Sequence, residues 1–142
     1  MAFMKLSKIG GKEMTEDTIL KTLEPDFGQL RLTNTMLNKS IIDANTSIRR
    51  FAKLFDVDFD QMQQGDKIQL EAHYKDGASC RLSFYKTKMR GDRRLSISGI
   101  KNQANVGDLI AFNYLRDKDT NKTIIVINVT ATAERRQNVF SI

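Results

Sequence analysis

Hydrophobic and polar positions follow two regimes along this chain, and the change falls at Gly65. After it, apolar residues recur every second position: Leu82 and Phe84 within 81–87, then Leu95 and Ile97 within 93–100, turn to one side while their polar neighbours turn to the other. That alternation is the signature of half-buried strands. The run Ile124, Ile125, Val126, Ile127 inside 123–130 is apolar in both directions and predicts the most buried strand. Before Gly65 the spacing is partly helical. Ser47 to Phe55 predicts an amphipathic helix capped by Ser47, with Ile48, Phe51, Ala52 and Phe55 on one face and Arg49, Arg50 and Lys53 on a face read as solvated. Thr15 to Leu23 predicts another, with Thr15 as cap, Glu16 and Asp17 at the positive end of the dipole, Ile19, Leu20 and Leu23 on one side and Pro25 as stop. Asn34 or Thr35 is the expected cap of a brief helix carrying Met36, Leu37, Ile41 and Ile42. Strands are expected at Met4 to Ile9, ended by Gly10-Gly11, and at Leu30 to Thr33.

An internal echo organises the second half. Gly65-Asp66-Lys67-Ile68-Gln69-Leu70 returns 42 residues later as Gly107-Asp108-Leu109-Ile110-Ala111-Phe112. Each copy is a Gly-Asp turn launching a strand, and each strand runs into a polar turn (75–77, 118–121) followed by another strand. The total is about seven or eight strands with two or three short helices, and evenly spaced short strands favour a closed or nearly closed barrel, which removes exposed edges. The expectation is one domain over residues 1–142, mainly β with short helices.

Composition narrows the function classes. With 142 residues and 40% hydrophobic content the chain can bury a core without disulfides or metals. Cys80 is the one cysteine, so no disulfide forms within the chain; it reads as a small strand residue suited to a reducing cytoplasm. No signal-peptide run and no window near the roughly 20 apolar residues of a membrane helix is found. A soluble cytoplasmic protein, nucleoid-associated in a bacterium, is expected, with no membrane partner. The net charge of +6 favours a polyanionic partner. Lys86, Lys88, Arg90, Arg93 and Arg94, offset by Asp92 alone, concentrate +4 of that in nine residues.

Catalytic chemistry finds little support. A metal-dependent nuclease needs carboxylates, usually with a nearby lysine, to hold Mg²⁺ and activate water. Asp66, Glu71 and His73 approach that pattern, but the lysine expected two residues after the glutamate is absent, and Asp66 is explained by the turn that Asp108 repeats. His73 is the single histidine, which excludes a two-His zinc motif. Cys80 and His73 are within reach of each other across a hairpin, yet no asparagine stands by to orient such a pair. Gly10-Gly11-Lys12 lacks the glycine spacing of a phosphate loop and its following Ser or Thr. No catalytic residue, metal, cofactor or small-molecule substrate is expected.

The basic hairpin carries the functional expectation. Lys88 to Asp92 forms its tip, and Gly91 supplies the positive φ of a tight turn. A two-stranded ribbon fits the DNA major groove, where arginines such as Arg90 and Arg94 fork onto guanine, Lys86 meets phosphate and Asp92 accepts from a cytosine amino group. A carboxylate among cations weakens generic phosphate binding and makes more sense where base identity is read. The plain alternative is a solvated basic turn.

The stretch Lys88-Met89-Arg90-Gly91-Asp92-Arg93-Arg94-Leu95-Ser96-Ile97-Ser98-Gly99 resembles the recognition hairpin in the N-terminal DNA-binding domain of EcoRII-type restriction endonucleases, which belong with the plant B-three transcription-factor domains. Leu70-Glu71-Ala72-His73 and the strand to Tyr85 are similar to the segment leading into that hairpin, and Val106-Gly107-Asp108-Leu109-Ile110-Ala111-Phe112 to a strand typical of the B-three fold. The resemblance covers roughly Leu30 to Val129, with a weaker echo in Lys5-Leu6-Ser7. It implies a seven-stranded B-three-like pseudobarrel that clasps the major groove between two arms. The C-terminal arm falls on Lys88, Arg90, Asp92, Arg93 and Arg94. Lys8, Lys12 and Gln29 are the candidates for the N-terminal arm, in a segment that also carries Glu13, Glu16, Asp17, Glu24 and Asp26. The implied partners are double-stranded DNA and a nuclease domain or subunit, in a restriction-endonuclease recognition or effector role, or duplex DNA alone for a free-standing regulator. Two other readings stand beside this one. An OB-like barrel would bind single-stranded DNA or RNA by stacking bases on Tyr74, Phe84 and Tyr85, against which 8% aromatic content and the lack of tryptophan argue. A protein-interaction module would offer its hairpin to an acidic partner.

Overall fold

The structure, a computed structural model, describes residues 29–131 in full and, as backbone, the strands β1 (Leu6–Ile9), β2 (Lys12–Met14) and β3 (Ile19–Lys21). β1 and β2 pair antiparallel as a separate two-stranded sheet. The rest of the order is β4 (Gln29–Arg31), α1 (Asn34–Lys39), β5 (Ile42–Asp43), α2 (Thr46–Lys53), a 3-10 turn (Phe59–Gln61), β6 (Lys67–Tyr74), β7 (Ser79–Lys86), β8 (Arg93–Ile97), α3 (Ile100–Gln103), β9 (Leu109–Arg116) and β10 (Thr123–Thr130).

One curled sheet of order β3-β9-β10-β6-β7-β8-β5 dominates, with β4 joining β3 along the same edge of β9. It is a half-barrel seven strands wide, mixed because β10 runs parallel to β6 (Ile125 beside Ala72, Ile127 beside Tyr74) while the other pairs are antiparallel. The expected pseudobarrel with short helices is therefore the observed architecture. Alternation fixes which side is buried. Ala72 and Tyr74 of β6, Cys80, Leu82 and Phe84 of β7, Leu95 and Ile97 of β8, and Ile110 and Phe112 of β9 all face one core. α2 closes that core with Ile48, Phe51 and Ala52, its Phe51 ring 5.3 Å from Phe112. β10 is buried on both sides as its composition requires: Ile125 and Ile127 enter the main core, whereas Val126 packs with Leu115 in a second cluster.

The Gly-Asp echo has a structural counterpart. Asp66 Oδ2 accepts from the Gln63 amide at 2.8 Å and Asp108 Oδ2 from the Asn105 amide at 2.9 Å, three residues back in each case. Gly65 and Gly107 hold φ of 90° and 89°. Only glycine, having no Cβ, adopts such angles at little cost, which explains why the dipeptide recurs as a unit.

Several local expectations are corrected. The segment expected to be helical at 15–23 contains β3, whose Ile19, Leu20 and Lys21 pair with Arg116, Leu115 and Tyr114; so short a helix nucleates poorly, and the open edge of β9 offers hydrogen bonds instead. Thr15 and Pro25 lie outside the described residues, as do Gly10 and Gly11. α1 is capped by Thr33, whose Oγ1 accepts from Met36, rather than by Asn34 or Thr35, and it stops at Ser40 (φ 54°) so that Ile42 can pair with Leu95. Asn45, not Ser47, caps α2 by accepting from Ile48 at 2.8 Å; Ser47 Oγ instead accepts from the Gln29 amide and ties β4 to the helix. β8 ends at Ile97, and Gly99 (φ 73°) turns the chain into α3, which buries Ile100.

Candidate nucleic-acid interface

Strands β7 and β8 pair from Leu82–Ile97 to Lys86–Arg93 and extend into a four-residue tip, 88–91. Thr87 and Asp92 close it: the Thr87 amide donates to Asp92 O (3.0 Å), the Gly91 amide to Thr87 O (3.0 Å) and the Asp92 amide to Thr87 Oγ1 (2.9 Å). Gly91 adopts φ 71°, and a Cβ there would meet Gln64 at 3.2 Å. On the other flank the Lys88 side chain passes over Gly65, whose amide donates to Lys86 O. The tip is thus a braced turn resting on the 64–66 loop.

Its cations divide into engaged and free. Lys86 Nζ donates to Met62 O at 2.9 Å, Arg93 Nη2 pairs with Asp60 Oδ1 at 2.9 Å, and Arg94 is bracketed by Asp92 (Nη2 to Oδ2, 3.2 Å) and Asp43 (Nε to Oδ1, 3.6 Å). Arg94 Nε is buried and has no hydrogen-bond partner, the Asp43 oxygen lying just beyond bonding range. Lys88 and Arg90, both exposed, make no side-chain hydrogen bond or ion pair among the described residues. Charges held by the protein are preorganised but partly neutralised; the two at the tip keep their full donor capacity for something outside.

Beside the tip lies an open hollow of about 630 Å³ lined by Asp43, Ala44, Arg49, Lys86 and residues 90–94. Two smaller hollows adjoin it. One, about 340 Å³, shares Arg49 and Arg93 and reaches along α2 to Arg50 and Lys53. The other, about 330 Å³, shares Asp43 and Arg94 and is walled by Thr33, Thr35, Met36 and Lys39 around α1. Together they bring eight cations (Lys39, Arg49, Arg50, Lys53, Lys86, Arg90, Arg93, Arg94) against four carboxylates (Asp43, Asp58, Asp60, Asp92). The basic face of α2, expected to be solvated, is exposed at Arg50 and Lys53 and borders these hollows beside the hairpin, as Lys39 and Thr35 do on the side of α1. Three cations on one face of a helix were the available signal; their position beside the hairpin depends on tertiary packing. Arg49 is held in place by bonds to Ala44 O (2.6 Å) and Thr46 Oγ1 (3.1 Å).

Of the expected second-arm residues, Gln29 is half-buried in β4, its carbonyl accepting from Asn45 Nδ2 at 3.5 Å, and it does not line these hollows. Lys8 pairs through its backbone with Glu13, and Lys12 with Ile9; their side chains lie outside the described residues.

The rejected sites can now be seen in space. Ala72 pairs with Cys80, whereas His73 pairs with Ser79, so His73 and Cys80 face opposite sides of the sheet and do not form a nucleophile and base. Asp66 is committed to its turn, and Glu71 stands 78% exposed near His73 Nε2 at 3.6 Å. Among the described residues no group of three or more His, Cys, Asp or Glu side chains is placed to hold a metal ion. No helix among them is long and apolar enough to cross a membrane. Tyr74 and Phe84 are in the core, Tyr74 donating its hydroxyl to Ser98 O at 2.8 Å, so neither offers a face for base stacking; Tyr85 is half-exposed with Lys67 Nζ 5.7 Å from its ring centre.

Burial first, then the neighbouring Cys80 and Asp76, pushes the Tyr74 hydroxyl well above its ordinary range. Burial likewise pushes the Cys80 thiol up to about 11. The folded state holds this proton more tightly than the unfolded chain does, so the stability contributed by neutral Cys80 is complete below the ordinary thiol range and is lost as pH rises through about 11. A disulfide reagent at pH 8 should label Cys80 slowly in the native protein and rapidly in denaturant; fast native labelling would show that the thiol is accessible and ionised.

No family model, curated protein or solved structure matches the chain.

Proposed function

We propose that this domain binds double-stranded DNA sequence-specifically, inserting the tip of the β7–β8 hairpin into the major groove. The observation that carries the reading is the pair of cations, Lys88 and Arg90, that have no partner among the described residues, on a braced ribbon beside a hollow with a surplus of fixed positive charge. Engaged cations such as Arg49 and Arg93 set a positive field that attracts the phosphate backbone, while a free guanidinium at the tip is left to fork onto guanine. Asp92, with Oδ2 held by Arg94, keeps its other oxygen for a cytosine amino group. The second arm in this proposal is α1, because Thr35 and Lys39 border the same Asp43–Arg94 pair as the hairpin.

The resemblance to B-three-like and EcoRII-type recognition domains fits this clasp. It suits a cytoplasmic module, without catalysis of its own, that targets an attached nuclease domain or subunit or acts alone as a regulator. The test is binding to a random duplex and to the matching single strand at two salt concentrations. Affinity for duplex should be higher than for the single strand and should fall steeply with salt, as released counterions require. Tighter binding to the single strand at equal salt overturns the reading. Selection from a random duplex library then supplies the preferred site.

A further inference from the structure

Between Lys88 and Arg90 stands Met89, 91% exposed in the four-residue tip of the hairpin. Among the described residues the other exposed large apolar side chains are Leu54, Ile68 and Val106, at 53%, 37% and 54%, each with roughly half or more of its surface covered. Single apolar residues on a surface are ordinary. This one is not placed as they are: it lies in a turn closed by three hydrogen bonds, braced by Gln64 and Gly65, and flanked by charges that draw a polyanion onto it. Met89 lies between Lys88 and Arg90 in the chain, so a duplex engaged by both passes close to it. The thioether is unbranched and polarizable, and so adapts to a small apolar target. The apolar feature that the major groove presents is the C5-methyl group of a pyrimidine.

We infer that Met89 reads a C5-methylpyrimidine, covering the methyl group while Arg90 reads a neighbouring base. This rests on the major-groove reading above. Thymine and 5-methylcytosine carry the same methyl group at the same position, so the chemistry is shared and two experimental arms separate the sources.

The experiment uses the full chain and the preferred duplex, with each thymine in turn replaced by uracil and each cytosine in turn by 5-methylcytosine. It is run on wild type, Met89→Gln and Met89→Leu, substitutions that so exposed a position accommodates without unfolding. If thymine is the target, one uracil replacement lowers wild-type affinity about four-fold, the effect of returning one methyl to water. If 5-methylcytosine is the target, one cytosine methylation raises affinity by a similar factor. In either arm Met89→Leu preserves the difference and Met89→Gln erases it. The inference is overturned if no replacement matters, or if the sensitive position stays sensitive in Met89→Gln. It is also overturned if 2-aminopurine beside the contact brightens on binding only when Met89 is present, since that signals a wedge between bases. A wild-type protein that does not prefer duplex over single strand fails earlier, on unmodified DNA, and takes the proposed function down with it; loss of the methyl effect alone leaves that function standing.

Discussion

Phe84→Ala should lower the unfolding free energy by about 3–5 kcal/mol, the range for removing a buried phenyl ring from a core that relaxes only partly. Phe84 is 1% exposed, lies between Ile68 on β6 and Leu95 on β8, and meets the Phe59 ring edge-on at 6.0 Å. It ties several elements together, because the Phe59 contact anchors the 3-10 turn that supplies Asp60 to Arg93 and leads to the Met62 carbonyl held by Lys86. Since a domain of this size is stable by only about 5–15 kcal/mol, the loss consumes much of the total. Denaturant titration of wild type and variant measures it, with Phe84→Leu as the milder step. A cost below 1 kcal/mol would show that the neighbouring side chains collapse into the space and that the hairpin base is not fixed by this ring.

What the chain reveals by pattern alone follows from how local each cause is. Alternation names Leu82, Phe84, Leu95 and Ile97 as core residues because a strand has a period of two regardless of its partners, and all four are buried. The Gly-Asp dipeptides are legible for the same reason: the aspartate bonds three residues back and the glycine angle is needed on the spot. Ile19 to Lys21 fails this test of locality. Its apolar spacing suits a helix, but the decision is made by the edge of β9, about 95 residues away in sequence.

The binding surface divides along the same line. The tip and its turn are local and were read from five residues. Which cations remain free is tertiary: Lys86 is taken by the Met62 carbonyl and Arg93 by Asp60, neither of which composition exposes. The Arg94–Asp92 contact joins residues only two apart in the chain and is local in that sense, although Asp92 belongs to the turn and only Arg94 to β8. The joining of α2 and α1 to the hairpin was not, because it depends on how β5 docks on β8 and carries both helices to that edge of the sheet.

Arg90→Ala should cost about 1–3 kcal/mol on the preferred duplex and far less on random duplex, so that specificity falls more than affinity. The asymmetry follows from position. Arg90 is exposed and without a partner among the described residues, whereas Arg93 and Arg94 are already bound to carboxylates and would have to break those pairs before reading a base. Arg90→Lys isolates the cause, since it keeps the charge but removes the planar fork; it should hold random-duplex binding near wild type and still lose the preferred site. Asp92→Ala supplies the opposing control. Removing a carboxylate from a basic surface strengthens attraction to every phosphate backbone, but if Asp92 accepts from a cytosine, preference must also relax at one base pair. Arg94→Ala should then relax the same base pair, because Arg94 holds the Asp92 carboxylate at 3.2 Å and acts through it. Competition binding with the selected site and single-position variants measures all four proteins together. If Arg90→Ala weakens preferred and random duplexes equally, and Asp92→Ala tightens both with no change of preference, the hairpin is an electrostatic grip and base identity is read elsewhere.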